Sequence, residues 1–221
     1  MGTYVITGAN RGIGLEYCRQ LVQRGETAIA ICRQSSPELE DLGIRIESSI
    51  DIATDEGIAA LDRQLADTTI DVLINNAGIL QRVSLEHLDL DSIRMQFEVN
   101  AIAPLRVTHT LLDRMATPSK VVLMTSRMGS ITDNTSGSSY GYRMSKVALN
   151  MVGKSLSLDL LPRNIAVAIL HPGWVSTDMT NFTSQGITPA ESVRGLLTRI
   201  DALTLDKTGT FWHTNGQVLP W

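Results

Sequence analysis

The chain has 221 residues, 43% of them hydrophobic, and a formal net charge of −4 with acids and bases interleaved. That is enough apolar material to fill a core, so a disordered chain is excluded and one domain spanning residues 1–221 is expected. No basic stripe suggests nucleic acid, no apolar run reaches membrane-spanning length, and two cysteines, Cys18 and Cys32, are too few for a disulfide framework. The four histidines, His87, His109, His171 and His213, form no ligand-spaced cluster, so no metal is expected. The chain opens directly on a strand with no signal peptide, which reads as a soluble cytoplasmic protein.

The first strand, "TYVITG" (3–8), runs into "TGANRGIG" (7–14), and an amphipathic stretch follows. Gly8, Gly12 and Gly14 let the backbone turn tightly and approach a pyrophosphate, which the N-terminus of the following helix would hold. The second strand, "TAIAICR" (27–33), ends in Arg33, where an NAD-binding chain would carry an acid for the ribose 2′-hydroxyl. Arg11 lies inside the glycine loop, and two guanidiniums there suit a 2′-phosphate, so NADP(H) is expected over NAD(H). The alternative is that both are merely exposed arginines.

The third strand, "IRIESSID" (44–51), is followed by helical spacing at Ile58, Leu61 and Leu65, and then by a fourth strand, "IDVLINNAG" (70–78). The long helical stretch 91–115 contains Asn100, a poor mid-helix residue, and Pro104 four positions on. Proline lacks an N–H, so the Asn100 carbonyl loses its helical partner. The fifth strand, "KVVLMTS" (120–126), ends at Ser126. A helix follows with apolar positions Leu149, Val152, Leu156 and Leu160, stopping before Pro162; its stripe is either core or an interface. After a sixth strand, "NIAVAILHPG" (164–173), "TPAE" (188–191) combines Thr188 as cap, Pro189 at the first position and Glu191 to close a capping box. A short strand near 209–216 ends the pattern. This alternation predicts a doubly wound α/β fold with a parallel sheet.

"TGANRGIG", "NNAG" (75–78), Asn100, Ser126, "YRMSK" (142–146) and "HPGWVSTDM" (171–179) together resemble the short-chain dehydrogenase/reductase family over nearly the whole chain. "RMGSITDN" and "YGYRMSKVALNM" are similar to its C-factor and Sniffer-type carbonyl reductase branch. The resemblance implies a Rossmann-type sheet in the order 3-2-1-4-5-6-7, hydride transfer between NADP(H) and an alcohol or carbonyl, and a dimer or tetramer with a small-molecule substrate. It assigns Asn10, Arg11 and Ile13 to the cofactor loop, and Asp51 and Ile52, ending the third strand, to the adenine. Asn75 and Ala77 would line the adenosine side, and Gly78 would admit the cofactor backbone. Pro172, Gly173, Val175 and Thr177 would hold the nicotinamide carboxamide.

The motif's spacing singles out Tyr142, one turn before Lys146 and on its face of the helix, over Tyr140, which reads as a loop aromatic. A phenol near ~10 is a sluggish base, and the nearby ammonium is expected to lower its pKa for acid–base work. Lys146 would also hold the nicotinamide ribose. Ser126 would polarise the substrate oxygen, with Ser130 as competitor because the loop to Tyr142 is long. Asn100 would close a proton relay from Tyr142 through the ribose, Lys146 and a water. An NADP-binding signalling or sensor protein is the alternative function, since fold does not fix activity.

Overall fold

Val5 and Ile6 are both fully buried, on opposite faces of one strand. That requires helices above and below the sheet, as expected for unbroken apolar strands. The computed structural model describes residues Met1–Trp221 and places β1 (Thr3–Thr7), α1 (Gly12–Gln23), β2 (Thr27–Ile31), α2 (Pro37–Glu40), β3 (Arg45–Glu47), α3 (Asp55–Gln64) and β4 (Ile70–Asn75) in its first part. Then come α4 (Leu90–Phe97), α5 (Ala103–Leu111), β5 (Met115–Met124), α6 (Tyr140–Asp159), β6 (Ile165–His171), α7 (Pro189–Asp201) and β7 (Thr210–His213). All strand pairs are parallel, in the order β3-β2-β1-β4-β5-β6-β7. The order reverses between β1 and β4, where doubly wound folds open a crevice at the carboxyl edge.

Two apolar clusters fill the layers. Tyr17, Cys18 and Leu21 of α1 and Leu196, Leu197 and Ile200 of α7 pack on the face carrying Ile6. Leu61 of α3, Val107 and Leu111 of α5, and Leu149 of α6 pack on the face carrying Val5, with Val152 and Leu156 against them. The apolar stripe of α6 is therefore core. Both cysteines are free and buried. No helix is long and apolar enough to cross a membrane.

Local chemistry explains most helix starts. Thr188 accepts the Glu191 N–H at 3.1 Å while Glu191 accepts the Thr188 N–H at 2.9 Å, the expected capping box. Thr54 and Asp89 cap α3 and α4 more simply, each side chain accepting one N–H of the first turn. Three boundaries differ from expectation. β3 ends at Glu47, so Asp51 and Ile52 lie in the turn beyond it. β5 begins at Met115, five residues before the apolar run. The stretch 91–115 is not one helix: a π-helical turn, Glu98–Ile102, separates α4 from α5 at the point where Pro104 cannot donate.

Candidate active site

The glycine loop leaves β1 and starts α1. Gly8 and Gly12 adopt φ of +66° and +53°, the left-handed region that glycine enters without a Cβ clash. At Gly14 the constraint is space: an added Cβ would collide with the Gly8 carbonyl and lie 2.7 Å from Asn76 Nδ2. In contrast to α3, α4 and α7, α1 has no side-chain cap and no acid in its first turn. Its first N–H groups and positive dipole end are thus left for an anion, and the loop fits a pyrophosphate.

Asn76 braces this loop, and the sequence reading missed it. Its Nδ2 donates to the carbonyls of Thr7 and Gly8 at 3.0 and 3.1 Å, while the buried Thr7 hydroxyl accepts the Asn76 and Ala77 N–H groups. Asn75, expected to line the adenosine side, instead turns inward: it is 2% exposed and donates to Thr108 on α5 at 3.1 Å. Strand alternation was the available signal, because Asn75 shares the Leu73 face. Ile52 also points into the core, packed with Ile50, while the Asp51 carboxylate accepts the Ala53 N–H at 3.0 Å.

Arg11 and Arg33 lie where the glycine loop meets β2. The Gly8 N–H donates to the Ile31 carbonyl, and Ser36 donates to the Asn10 carbonyl at 2.8 Å, joining the two loops. Arg11 pairs with Asp178 at 2.6 Å and Arg33 with Asp51 at 3.8 Å, both guanidiniums largely exposed. Exposed pairs of this kind contribute little, so either guanidinium can turn to a phosphate. Ile13 packs its side chain against the core below. Thr177 lies across the loop, its methyl 3.5 Å from the place a Gly12 Cβ would take. Pro172, Gly173 and Val175 lead to it from β6, with Gly173 at φ +87°. The Pro172 carbonyl accepts the Ser192 hydroxyl at 2.6 Å, and Val175 pairs with Ile187 in an isolated bridge.

Tyr142 and Lys146 come together on α6. Both are buried, and Nζ stands 5.7 Å from the Tyr142 ring centroid while donating to the Met124 carbonyl at 2.9 Å. Ser126, two residues past β5, faces the phenol closely enough to draw its pKa downward. Both serine hydroxyls also accept a backbone N–H at 3.1 Å, Ser126 from Met128 and Ser130 from Asp133, so it is the position of Ser126 beside the phenol that separates them. The exit from β5 is pinned to α6 by Asn150, which accepts from Thr125 at 2.6 Å and donates to the Gly129 carbonyl at 3.0 Å. Asn150 also escaped the sequence reading. Tyr140 is the first residue of α6, where its N–H donates to the Val83 carbonyl; it is not a loop residue.

The electrostatics correct one expectation. Burial pushes Tyr142 up to about 12, outweighing the pull of Ser126, so the net effect is not a lowered phenol. Burial also pushes Lys146 down to about 8. At neutral pH the phenol is protonated and most of the lysine is charged.

Asn100 sits in the π-helical turn, fully buried. Its Oδ1 accepts the Ile79 N–H and its Nδ2 donates to the Ile79 carbonyl, both at 2.8 Å, which locks the loop that follows Gly78. Nδ2 also donates to Ser145 at 3.0 Å, and Ser145 donates to the Tyr142 carbonyl at 2.9 Å. Gly78 lies between these groups: a Cβ there would be 3.1 Å from Asn100 Oδ1 and 3.6 Å from Lys146 Nζ. Ser126, Tyr142, Lys146, Asn100 and Gly78 thus occupy one neighbourhood at the carboxyl edge.

Known proteins are similar to this chain in sequence and fold. The short chain dehydrogenase family profile matches residues 3–187. A 1-hydroxy-2-glutathionyl-2-methyl-3-butene dehydrogenase of Rhodococcus sp. (strain AD45) is 38% identical over 226 residues, covering 100% of both chains. The carbonyl reductase Sniffer of D. melanogaster superposes with a TM-score of 0.92 at 30% identity, covering 100% of both chains. A carbonyl reductase from chicken fatty liver, solved with NADPH bound, superposes with a TM-score of 0.90 at 28% identity, covering 100% of this chain and 99% of its own.

Proposed function

The chain belongs to the short-chain dehydrogenase family, and from that membership we propose that it is an NADP(H)-dependent oxidoreductase interconverting an aldehyde or ketone and an alcohol. The supporting observation is the convergence of Ser126, Tyr142 and Lys146 beside Gly78. NADPH held in this crevice would provide the hydride that the carbonyl carbon accepts. Ser126 donates a hydrogen bond to the substrate oxygen and stabilises its developing charge. Tyr142, protonated at neutral pH and held still further from ionisation by burial, gives its proton to that oxygen as the general acid. In oxidation the same phenol takes the proton back. Lys146, charged and fixed on the Met124 carbonyl, stabilises the phenolate that donation leaves behind.

Gly8, Gly12, Gly14 and the open start of α1 hold the pyrophosphate, and Asn10 and Ile13 shape that loop. Arg11 and Arg33 hold the 2′-phosphate, which favours NADP(H). Ala77, Gly78 and the backbone of Asp51 and Ile52 border the nucleoside, while Pro172, Gly173, Val175 and Thr177 border the carboxamide. The segment after β6 exposes Trp174, Met179 and Phe182, apolar groups suited to the body of an organic carbonyl. The full-length likeness to a hydroxyl-substrate dehydrogenase supports including alcohols in the assay. The test is absorbance-monitored turnover of NADPH and NADH with aldehydes, ketones and alcohols. Turnover with NADPH well above NADH is expected. No turnover on any substrate overturns the activity, and equal use of both cofactors overturns the arginine assignment.

A further inference from the structure

Three consecutive residues before α6 have left-handed backbone: Gly137, Ser138 and Ser139, with φ of +62°, +55° and +50°. Glycine enters this region freely, but a serine Cβ crowds the backbone there. Ser139 is also the N-cap residue of α6, and its side chain caps nothing. A strained pair therefore sits immediately before the helical turn that carries Tyr142. Such backbone persists only where its surroundings hold it.

Arg143 does the holding. Helical side chains lean toward the N-terminus, so the residue after Tyr142 reaches back over the turn. Its Nε donates to the carbonyls of Gly137 and Ser138 at 3.0 and 3.2 Å, and its Nη2 donates to Ser136 Oγ at 2.8 Å. One planar group thus ties three successive residues to the first turn of the helix, a fork that lysine cannot copy. From the other side, the Tyr140 N–H is fixed on the Val83 carbonyl.

We propose that Arg143 is a positioning residue: it clasps the left-handed turn 137–139 and so sets where α6 begins and where the Tyr142 hydroxyl stands against Ser126. This rests on Tyr142 being the general acid. Without the clasp, Ser138 and Ser139 relax to negative φ, the helix start shifts, and the phenol moves away from the substrate oxygen. The assignment explains why neither serine need be glycine.

The test compares wild type, Arg143→Ala, Arg143→Lys, and Arg143→Ala combined with Ser138→Gly and Ser139→Gly, which accept left-handed backbone without help. Arg143→Ala is expected to lower kcat roughly tenfold or more, as small misplacements of a reacting group do. KM for NADPH should change little, lysine should restore little, and the glycine pair should restore most of the lost kcat. Amide exchange at Tyr140, measured without any substrate, should accelerate in Arg143→Ala and return toward wild type in the glycine combination. A kcat unaffected by Arg143→Ala, or a loss the glycines leave in place, overturns the clasp. If wild type turns over no carbonyl, the proposed activity fails by itself, and Tyr140 exchange alone decides the clasp.

Discussion

Replacing Lys146 by Met should remove a pH dependence of stability that the wild-type chain carries. Burial lowers this lysine from 10.5 to about 8, so the folded state disfavours its charge. Below about pH 8 both folded and unfolded chains hold the proton, and the folded chain bears the full penalty, about 3 kcal/mol at ~1.4 kcal/mol per pH unit. Between about 8 and 10.5 the unfolded chain holds more protons than the folded one, so the unfolding free energy rises with pH. Tyr142 and Cys18, whose pKa values burial raises, push the other way at high pH, but they are present in both chains and cancel on subtraction. Methionine has a similar reach without the charge, although the Met124 carbonyl loses its 2.9 Å donor. Urea unfolding of both proteins at about pH 7 and about pH 9.5 should show wild type gaining about 2 kcal/mol relative to Lys146→Met between the two. A difference that stays constant across that interval would mean residue 146 is solvated, and the buried-ammonium picture would be wrong.

Gly14→Ala should leave the fold intact but drive its new methyl into the Gly8 carbonyl and Asn76. NADPH affinity, followed by nucleotide fluorescence, should fall by roughly tenfold or more, a loss of about 1.4 kcal/mol or greater; unchanged affinity would disprove the cradle. Ser126→Ala should lower kcat/KM by ~100-fold while Ser130→Ala has a small effect, because Ser126 is the serine that acts on the Tyr142 phenol; the reverse ranking would transfer the role to Ser130. Arg33→Asp should place an acid where the 2′-phosphate binds and shift the NADPH to NADH preference of kcat/KM by ~10-fold or more toward NADH. An unaltered preference would show that Arg33 is only an exposed arginine.

A parallel sheet covered on both faces was legible because its strands are apolar on both sides, as Val5 and Ile6 illustrate, whereas the strand order came from the family resemblance alone. The start of α7 was equally plain, since Thr188, Pro189 and Glu191 each agree with it. The start of β5 was not, because "MATPSK" is partly polar and its pairing comes from the neighbouring β4 and β6. The π-helical turn was half legible: Pro104 announced a lost hydrogen bond but not that the helix would widen around Asn100. At the site, Tyr142 and Lys146 followed from a four-residue spacing. The choice between Asn75 and Asn76 did not, since it depends on which face each occupies as β4 ends. The direction of the Tyr142 shift also escaped, because its neighbour Lys146 can be read from the sequence and its depth of burial cannot. The Arg143 clasp was hidden for a similar reason: nothing in "SGSSYGYRM" announces two serines with positive φ.

The most direct test of the account is stopped-flow reduction of an accepted carbonyl by NADPH in wild type and Tyr142→Phe, with NADPH affinity measured in parallel. The phenylalanine fills the same volume and lacks only the hydroxyl. The account predicts a fall in the hydride-transfer rate by ~10² to 10⁴ with NADPH affinity nearly unchanged. A variant that transfers hydride at the wild-type rate would contradict it.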